Sequence, residues 1–360
     1  MPLSKDSIIF VTGASGFVAF QIVVQLLEAG YRVRGAARGK KYHGLKKAFA
    51  KSPRFEAVEV SDVTKGDLSK AFKGVSALIH CAAYMPGKSD AATSLKLAAE
   101  GTLHVLEAAK TAGIKRVAVT GSLVSYPEKG PCRLPDYHPV TYKEALSSND
   151  AWVVYVAEKK FTEVAVIDWA TKNPDISVAL MQFDYILTSS LPATPTVSPN
   201  YIFGPLAPGF DFIVPDFDPR GLSSNGLFYM LLIPKNENFP MAPGVTDIRD
   251  VARLHIAAVE SDKVAALPPQ LRRFPAVSPD QSDYRVALKL IAEERPELKD
   301  RLSSIDKAPV WPTYTVANEG LKHIEEVLDI PVNSYRPWRE TVLDTIDSLV
   351  VLEKIWKAKA

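Results

Sequence analysis

The sequence predicts an α/β fold: a doubly wound parallel sheet with helices on both faces, followed by a smaller C-terminal lobe. Three observations predict it. A glycine-containing turn near the N-terminus separates an apolar strand pattern from an apolar helix pattern. Strand and helix patterns then alternate as far as Leu180. The later strand segments are nearly continuous apolar runs, as strands are when helices cover a sheet from both sides.

The first strand is Ser7-Ile8-Ile9-Phe10-Val11, and the first helix pattern runs from Phe20 to Ala29, ending at Gly30. The turn is Val11-Thr12-Gly13-Ala14-Ser15-Gly16-Phe17-Val18-Ala19. Gly13 and Gly16 lack the β-carbons that would keep a pyrophosphate away from the N–H groups of a helix start, and Ala19 lets the helix lie close to its strand. The spacing is Gly-x-x-Gly-x-x-Ala rather than the commoner G-x-G-x-x-G. A plain tight turn between strand and helix uses glycine in the same way.

The second strand, Tyr31 to Arg38, ends in a cation. In dinucleotide folds an acidic residue about 20 positions past the glycines takes the ribose 2′-hydroxyl. No acid stands there; Arg38 does, with Lys40 and Lys41 behind it. A guanidinium suits a 2′-phosphate through charge-assisted hydrogen bonds, so the expected cofactor is NADP(H) rather than NAD. The alternative is a solvated basic loop, which is the preferred reading for the two lysines.

Phe55 to Val60 is the third strand, ending at Ser61-Asp62, and Ala77 to Ala83 the fourth. A helix covers Ala91 to Ala112, and the fifth strand, Arg116 to Thr120, ends in Gly121-Ser122. Right-handed crossovers gather such strand ends on one edge, where reacting groups are expected. Gly130 to Pro139 is rich in turn formers, Thr141 to Asp150 reads as a short helix and loop, and a long helix spans Ala151 to Lys172. After the strand Ile176 to Leu180 the rhythm is lost and prolines become frequent. The expected division is a Rossmann-type nucleotide-binding domain over 1–198 and a mainly substrate-binding lobe over 199–360. Residues 244–260, with the helical start Asp247 to His255, return to the first domain. Trp338 to Trp356 is a final amphipathic helix.

Tyr155 and Lys159 stand four residues apart on the long helix and therefore on one face. A neighbouring ammonium favours the phenolate and brings a tyrosine's proton exchange closer to neutral pH. Such a phenol donates a proton to a carbonyl oxygen while hydride reaches the carbon. Ser122, at the end of the fifth strand, is the candidate hydroxyl for the substrate oxygen. Thr120 is the competing hydroxyl on the same strand, and Ser125 a weaker one.

Taken together, these segments resemble the extended short-chain dehydrogenase/reductase family, in the branch of dihydroflavonol reductases, cinnamoyl-CoA reductases and fungal NADPH-dependent aldehyde and ketone reductases. Further carriers of the resemblance are Pro139-Val140-Thr141-Tyr142-Lys143-Glu144-Ala145-Leu146, Tyr201-Ile202-Phe203-Gly204-Pro205 and Asp247-Ile248-Arg249-Asp250-Val251-Ala252. The resemblance implies a catalytic Ser122, Tyr155 and Lys159. It implies phosphate contacts at Gly13, Phe17 and Val18 and an adenine contact at Asp62, with Ser15, Gly16 and Val63 also among the cofactor-binding residues. It also implies nicotinamide-ribose contacts around Ala82 and Ala83, with Tyr155 and Lys159 also among the cofactor-binding residues and Pro199 leading into the segment beside the nicotinamide. Three departures stand out. Thr120-Gly121-Ser122 replaces Thr-Ser-Ser, Glu158 stands where serine commonly precedes the lysine, and Met181 to Val197 reads as an insert.

The expected activity is NADPH-dependent reduction of an aldehyde or ketone. The proline, phenylalanine and leucine of the second lobe suggest an apolar or aromatic substrate. A nucleotide-sugar epimerase or dehydratase with bound NAD, and an NADP-sensing protein without turnover, are the alternatives. Within 360 residues, 43 lysines and arginines against 41 acids leave a net charge of +2, which gives no electrostatic case for nucleic acid or an anionic membrane. Cys81 and Cys132 are too few for a disulfide framework, and the six histidines show no metal-ligand spacing. No apolar run reaches a membrane-spanning length. The expectation is a soluble cytoplasmic protein, monomer or homodimer, with a small-molecule carbonyl substrate and no metal.

Overall fold

The computed structural model describes residues 3–82, 89–128, 133–183, 201–239, 244–280, 282–310 and 318–359. The first half alternates strand and helix: β1 (Ile8–Thr12), α1 (Phe17–Glu28), β2 (Arg32–Ala37), α2 (Lys40–Ala48), β3 (Phe55–Glu59), β4 (Val75–His80), α3 (Ala91–Thr111) and β5 (Arg116–Ser122). There follow α4 (Tyr142–Ser147), α5 (Ala151–Lys172), β6 (Ser177–Phe183), β7 (Tyr201–Phe203), α6 (Asn225–Met230), β8 (Val245–Asp247) and α7 (Ile248–Glu260). The last elements are α8 (Lys263–Ala266), β9 (Arg273–Pro275), α9 (Tyr284–Glu294), α10 (Asn318–Leu328) and α11 (Trp338–Lys359).

Seven strands form one parallel sheet in the order β3-β2-β1-β4-β5-β6-β9, in register Ile9↔Val33, Phe10↔Leu78 and Val119↔Leu180. Alternate side chains face opposite layers. Ile9, Val11, Ile79 and Ala118 pack with α1 and α7, whereas Phe10, Leu78, Val117, Val119 and Leu180 pack with α3 and α5. Both faces are covered, which is why these strands read as unbroken apolar runs. The chain leaves β1 for β2 on one side and returns to β4 on the other, so the carboxyl ends of β1 and β4 border a crevice at the sheet's switch point.

The sheet corrects three expectations. The fourth strand ends at His80 rather than Ala83. The sixth does not stop at Leu180: Met181, Gln182 and Phe183 pair with Thr120, Gly121 and Ser122, so the first three residues of the expected insert are buried strand. The rest of that stretch, 184–197, lies outside the described residues. Finally β9, a strand the sequence pattern does not predict, extends the main sheet beside β6.

A second apolar cluster joins Tyr201, Phe203, Phe228, Tyr229, Trp338, Ile346 and Trp356 from β7, α6 and α11. Tyr155 and Val156 of α5 belong to it as well, so one wall of this cluster is the helix that carries the tyrosine–lysine pair. The helix ends are fixed locally. Asp150 accepts the Trp152 N–H at 2.8 Å to start α5, and Thr141 and Glu144 form a reciprocal capping box on α4. Each cap is worth about 1 kcal/mol.

Candidate active site

Gly13 follows β1 with φ +64°, in the left-handed region that favours glycine. A Cβ there would stand 3.2 Å from both the Cα and the N of Ala82, which lies just beyond β4. The Gly16 N–H donates to the Gly13 carbonyl at 2.7 Å, and α1 begins at the next residue with no side chain capping it. The first N–H groups of α1 therefore carry the positive end of the helix dipole to the turn at Gly16, which is exposed and has no β-carbon in the way. A dinucleotide pyrophosphate fits this cradle. Ser15, Phe17 and Val18 turn their side chains into the protein and leave backbone for such a contact.

Thr12 ties the two sides of the crevice together. Its hydroxyl oxygen accepts the N–H groups of Cys81 and Ala82, both at 3.0 Å, and lies 2.8 Å from Nδ1 of His80. With two donors on its oxygen, the hydroxyl gives its own hydrogen to Nδ1, which leaves the ring hydrogen on Nε2. Burial, helped by the Lys159 charge, pushes His80 down to about 4, so the ring is neutral.

Three hydroxyls compete at the end of β5, and two are committed elsewhere. The Thr120 oxygen lies 2.8 Å from Nε2 of His255, whose Nδ1 is 2.8 Å from the Val251 carbonyl. A carbonyl only accepts, so Nδ1 holds the ring hydrogen and Thr120 donates to Nε2. Cys81, 3.2 Å from Thr120, is kept a thiol by burial, which pushes it up to about 12. Ser125 lies 2.9 Å from the Ser122 carbonyl and 2.8 Å from Oε2 of Glu163. Ser122 caps the one-turn 3-10 helix Leu123–Ser125 by accepting the Val124 N–H at 3.4 Å, a long bond that leaves its hydroxyl hydrogen for another partner.

On α5, Nζ of Lys159 is 5.6 Å from the centre of the Tyr155 ring, and Trp152 packs against that ring at 5.8 Å. Burial pulls the Lys159 ammonium below its ordinary value, and the Glu158 charge opposes it. Lys159 lines a cavity of about 40 Å³ together with His80, Ala82, Thr120, Gly121 and Glu158. Gly13, Ala82, Lys159 and the end of β5 thus meet at the crevice. Arg38, Asp62 and Val63 lie past the ends of β2 and β3, away from that cavity. Arg38 is exposed. Asp62 accepts the N–H and hydroxyl of Thr64 at 2.9 and 2.6 Å, and these bonds chiefly hold its carboxyl below the usual range. A carboxylate stands close by, because Glu59 accepts the Gly39 N–H at 3.0 Å. Ala83 and Pro199 lie outside the described residues.

Sequence reasoning missed a buried ionic knot beneath the hydroxyl end of β5. The Arg273 guanidinium pairs with Glu163 and lies between the rings of Tyr126 and Tyr137, at 4.2 and 4.1 Å from their centres. It also donates to the carbonyls of Leu134 and Asp136, the latter at 2.8 Å. Glu163 further accepts from Gln182 at 2.5 Å, and Gln182 accepts the Tyr126 hydroxyl at 2.8 Å. The available signal was that Glu163 follows Lys159 by one helical turn. Among the described residues no group of three His, Cys, Asp or Glu side chains is placed to hold a metal, and no helix is long and apolar enough to cross a membrane.

A parallel sheet with a glycine cradle at its switch point defines a Rossmann-type dinucleotide-binding protein. The chain belongs to the NAD dependent epimerase/dehydratase family, the extended short-chain dehydrogenases/reductases, whose family model matches residues 9–183. A Candida albicans sequence provisionally named NADPH-dependent methylglyoxal reductase GRP2 is 30% identical over 333 residues, covering 86% of this chain and 89% of the relative. The NADPH-dependent methylglyoxal reductase GRE2 of Saccharomyces cerevisiae is 26% identical, covering 96% of this chain and 98% of the relative. The crystal structure of yeast methylglyoxal/isovaleraldehyde reductase Gre2 complexed with NADPH superposes with a TM-score of 0.75 at 22% identity, covering 97% and 99% of the two chains.

Proposed function

We propose that the protein reduces an aldehyde or ketone to the alcohol with NADPH, with Tyr155 as the proton donor. The observation that carries this reading is the Tyr155–Lys159 pair on α5, with Lys159 lining the cavity that Ala82 and the end of β5 share. The named activity of GRE2 agrees with it. When bound, NADPH supplies the hydride. The backbone N–H groups of Phe17 and Val18 would hold its pyrophosphate, with Gly16 leaving the approach open, Arg38 would hold its 2′-phosphate, Asp62 and Val63 its adenine end, and Ala82 its nicotinamide ribose. Lys159 favours the ionised form of Tyr155, which eases release of the phenolic proton to the oxygen that gains charge. Ser122 donates a hydrogen bond to the same oxygen.

In this reading the nucleotide-binding domain comprises 1–198 with 244–260, supported by the packing of α7 beside α1, and β9 adds to its sheet. The lobe over the rest of 199–360 forms the substrate side. We assign the protein to the cytosol as a monomer or homodimer. The test pairs turnover with binding. Wild type should oxidise NADPH in the presence of methylglyoxal or an aromatic aldehyde such as benzaldehyde. Tyr155→Phe should lose about a thousandfold in kcat and keep its NADPH affinity. Unchanged turnover in that variant removes Tyr155 from the chemistry.

A further inference from the structure

Each carbonyl reduction in this reading consumes one proton, and the phenol that gives it up is buried, with Tyr155 only 6% exposed. A proton must reach it again from solvent before the next turnover. Behind Lys159 lies the cavity of about 40 Å³, lined by His80, Thr102, Glu158, Lys159, Thr162 and Glu163. A volume of this size accommodates at least one water molecule, and its polar lining provides partners for it.

Glu158 is the unusual member of that lining. Its side chain is buried at 2% exposure, and its Oε1 has no hydrogen-bond partner among the described residues. Its other neighbour leads outward: the hydroxyl of Ser94 of α3, itself buried, faces the carboxylate. The Ser94 hydroxyl lies 3.0 Å from that of Ser89, a half-buried residue just before the start of α3. A line of exchangeable groups thus runs from the surface to a carboxyl one residue from the lysine.

Resting on the proposed carbonyl reduction, we propose that Glu158 is the acid that returns solvent protons to Tyr155, along the path Ser89, Ser94, Glu158, cavity water and Lys159. The transfers balance. Lys159 gives a proton to the Tyr155 phenolate, and the neutral amine takes one from the Glu158 carboxyl through water in the cavity. The carboxylate is recharged through the Ser94 and Ser89 hydroxyls, each of which accepts one proton and passes one on. One proton moves from solvent to the phenol, and nothing is oxidised or reduced. The environment suits the role. Burial raises Glu158 to about 7 against the opposing pull of Lys159 and Ser94, so both of its forms exist at neutral pH. The facing groups are Lys159 and Glu163 on α5, neutral His80 on β4, and the Ser94 and Thr102 hydroxyls on α3. The charged residues Lys96 and Glu100 of α3 point outward, with side chains 66% and 60% exposed, and pair with each other.

The experiment compares wild type with Glu158→Gln and Ser94→Ala, both checked for native circular dichroism and NADPH affinity. Infrared pH titration of the cofactor-free protein should show a protonated carboxyl that ionises near neutrality and is missing from Glu158→Gln. In methylglyoxal and benzaldehyde reduction, Glu158→Gln should lower kcat about tenfold above neutral pH. The solvent deuterium effect on kcat should rise, and added imidazole should restore the rate; Ser94→Ala should shift the same quantities less. A residue that merely packs α5 against α3 would not respond to imidazole. The relay is overturned if the carboxyl band is absent, if the kcat–pH profiles of wild type and Glu158→Gln superpose, or if a lowered rate shows neither the isotope effect nor rescue. Failure of the underlying reading is distinct: wild type would then leave NADPH unoxidised, or Tyr155→Phe would turn over like wild type, and the relay would fall with it.

Discussion

Glu163→Gln should cost the fold about 3–5 kcal/mol, because the substitution keeps the shape of the side chain and removes only its charge. The magnitude follows from the surroundings of Arg273. The side chains of Arg273 and Glu163 are 1% and 2% exposed, so both charges are withdrawn from bulk solvent. With the carboxylate gone, the guanidinium retains two aromatic faces and two backbone carbonyls but no counter-charge. A domain typically has about 5–15 kcal/mol in hand, so the loss is a large fraction of the total. Equilibrium unfolding in urea, followed by circular dichroism, measures it. The double variant Glu163→Gln/Arg273→Met should be less destabilised than the sum of its single variants, because no unpaired ion remains buried; the coupling should be about 1–3 kcal/mol. A single-variant loss below about 0.5 kcal/mol would refute the argument, since that is the range of an ordinary surface change. The same knot positions Ser125, whose hydroxyl lies within hydrogen-bond distance of both Glu163 and the Ser122 carbonyl, so folded Glu163→Gln should also show a reduced kcat.

Gly13→Ala places a side chain at φ +64° and 3.2 Å from Ala82, at a strain of about 1–2 kcal/mol. NADPH affinity by fluorescence titration should fall at least about tenfold, and unchanged affinity would remove the cradle from cofactor binding. Arg38→Ala should weaken NADPH about 10–100-fold and leave NADH unaffected; equal losses would show that Arg38 does not read the 2′-phosphate. His80 and His255 are both pushed down to about 4 by burial from an ordinary 6.5, which fixes the sign of their pH effect. Above pH 6.5 both are neutral in the folded and unfolded chain, and their full contribution is present. As pH falls from 6.5 toward 4, only the unfolded chain binds the protons, so stability is lost, by up to about 3 kcal/mol per histidine. His255→Gln should flatten the fall in urea midpoint between neutral pH and about pH 4.5, and parallel slopes in the two proteins would contradict this.

How far the sequence carries depends on whether a residue's role is set by its neighbours in the chain or across it. The glycine turn and α5 are legible because their signals are local: two glycines between a strand and a helix, and a phenol four residues from an ammonium. β9 is not legible, because Arg273-Phe274-Pro275 carries a cation and a proline, and only pairing with β6 makes it a strand. The end of β6 misleads for a similar reason. Gln182 breaks the apolar run, yet it is buried because Tyr126 and Glu163 satisfy its amide. The sequence favours Ser122 over Thr120 and Ser125 but does not show what occupies the other two, since His255 and Glu163 approach them from elements far along the chain. Glu158 marks the limit most sharply. Beside Lys159 it reads as a carboxylate competing for the ammonium, but consecutive helical residues point about 100° apart, so what faces Glu158 is decided by α3. α3 presents the Ser94 hydroxyl to the carboxyl, whose Oε1 has no hydrogen-bond partner among the described residues, in a residue that lines a cavity. Burial with a single partner makes it a weak acid rather than a fixed counter-charge, and that difference separates a proton carrier from a salt bridge.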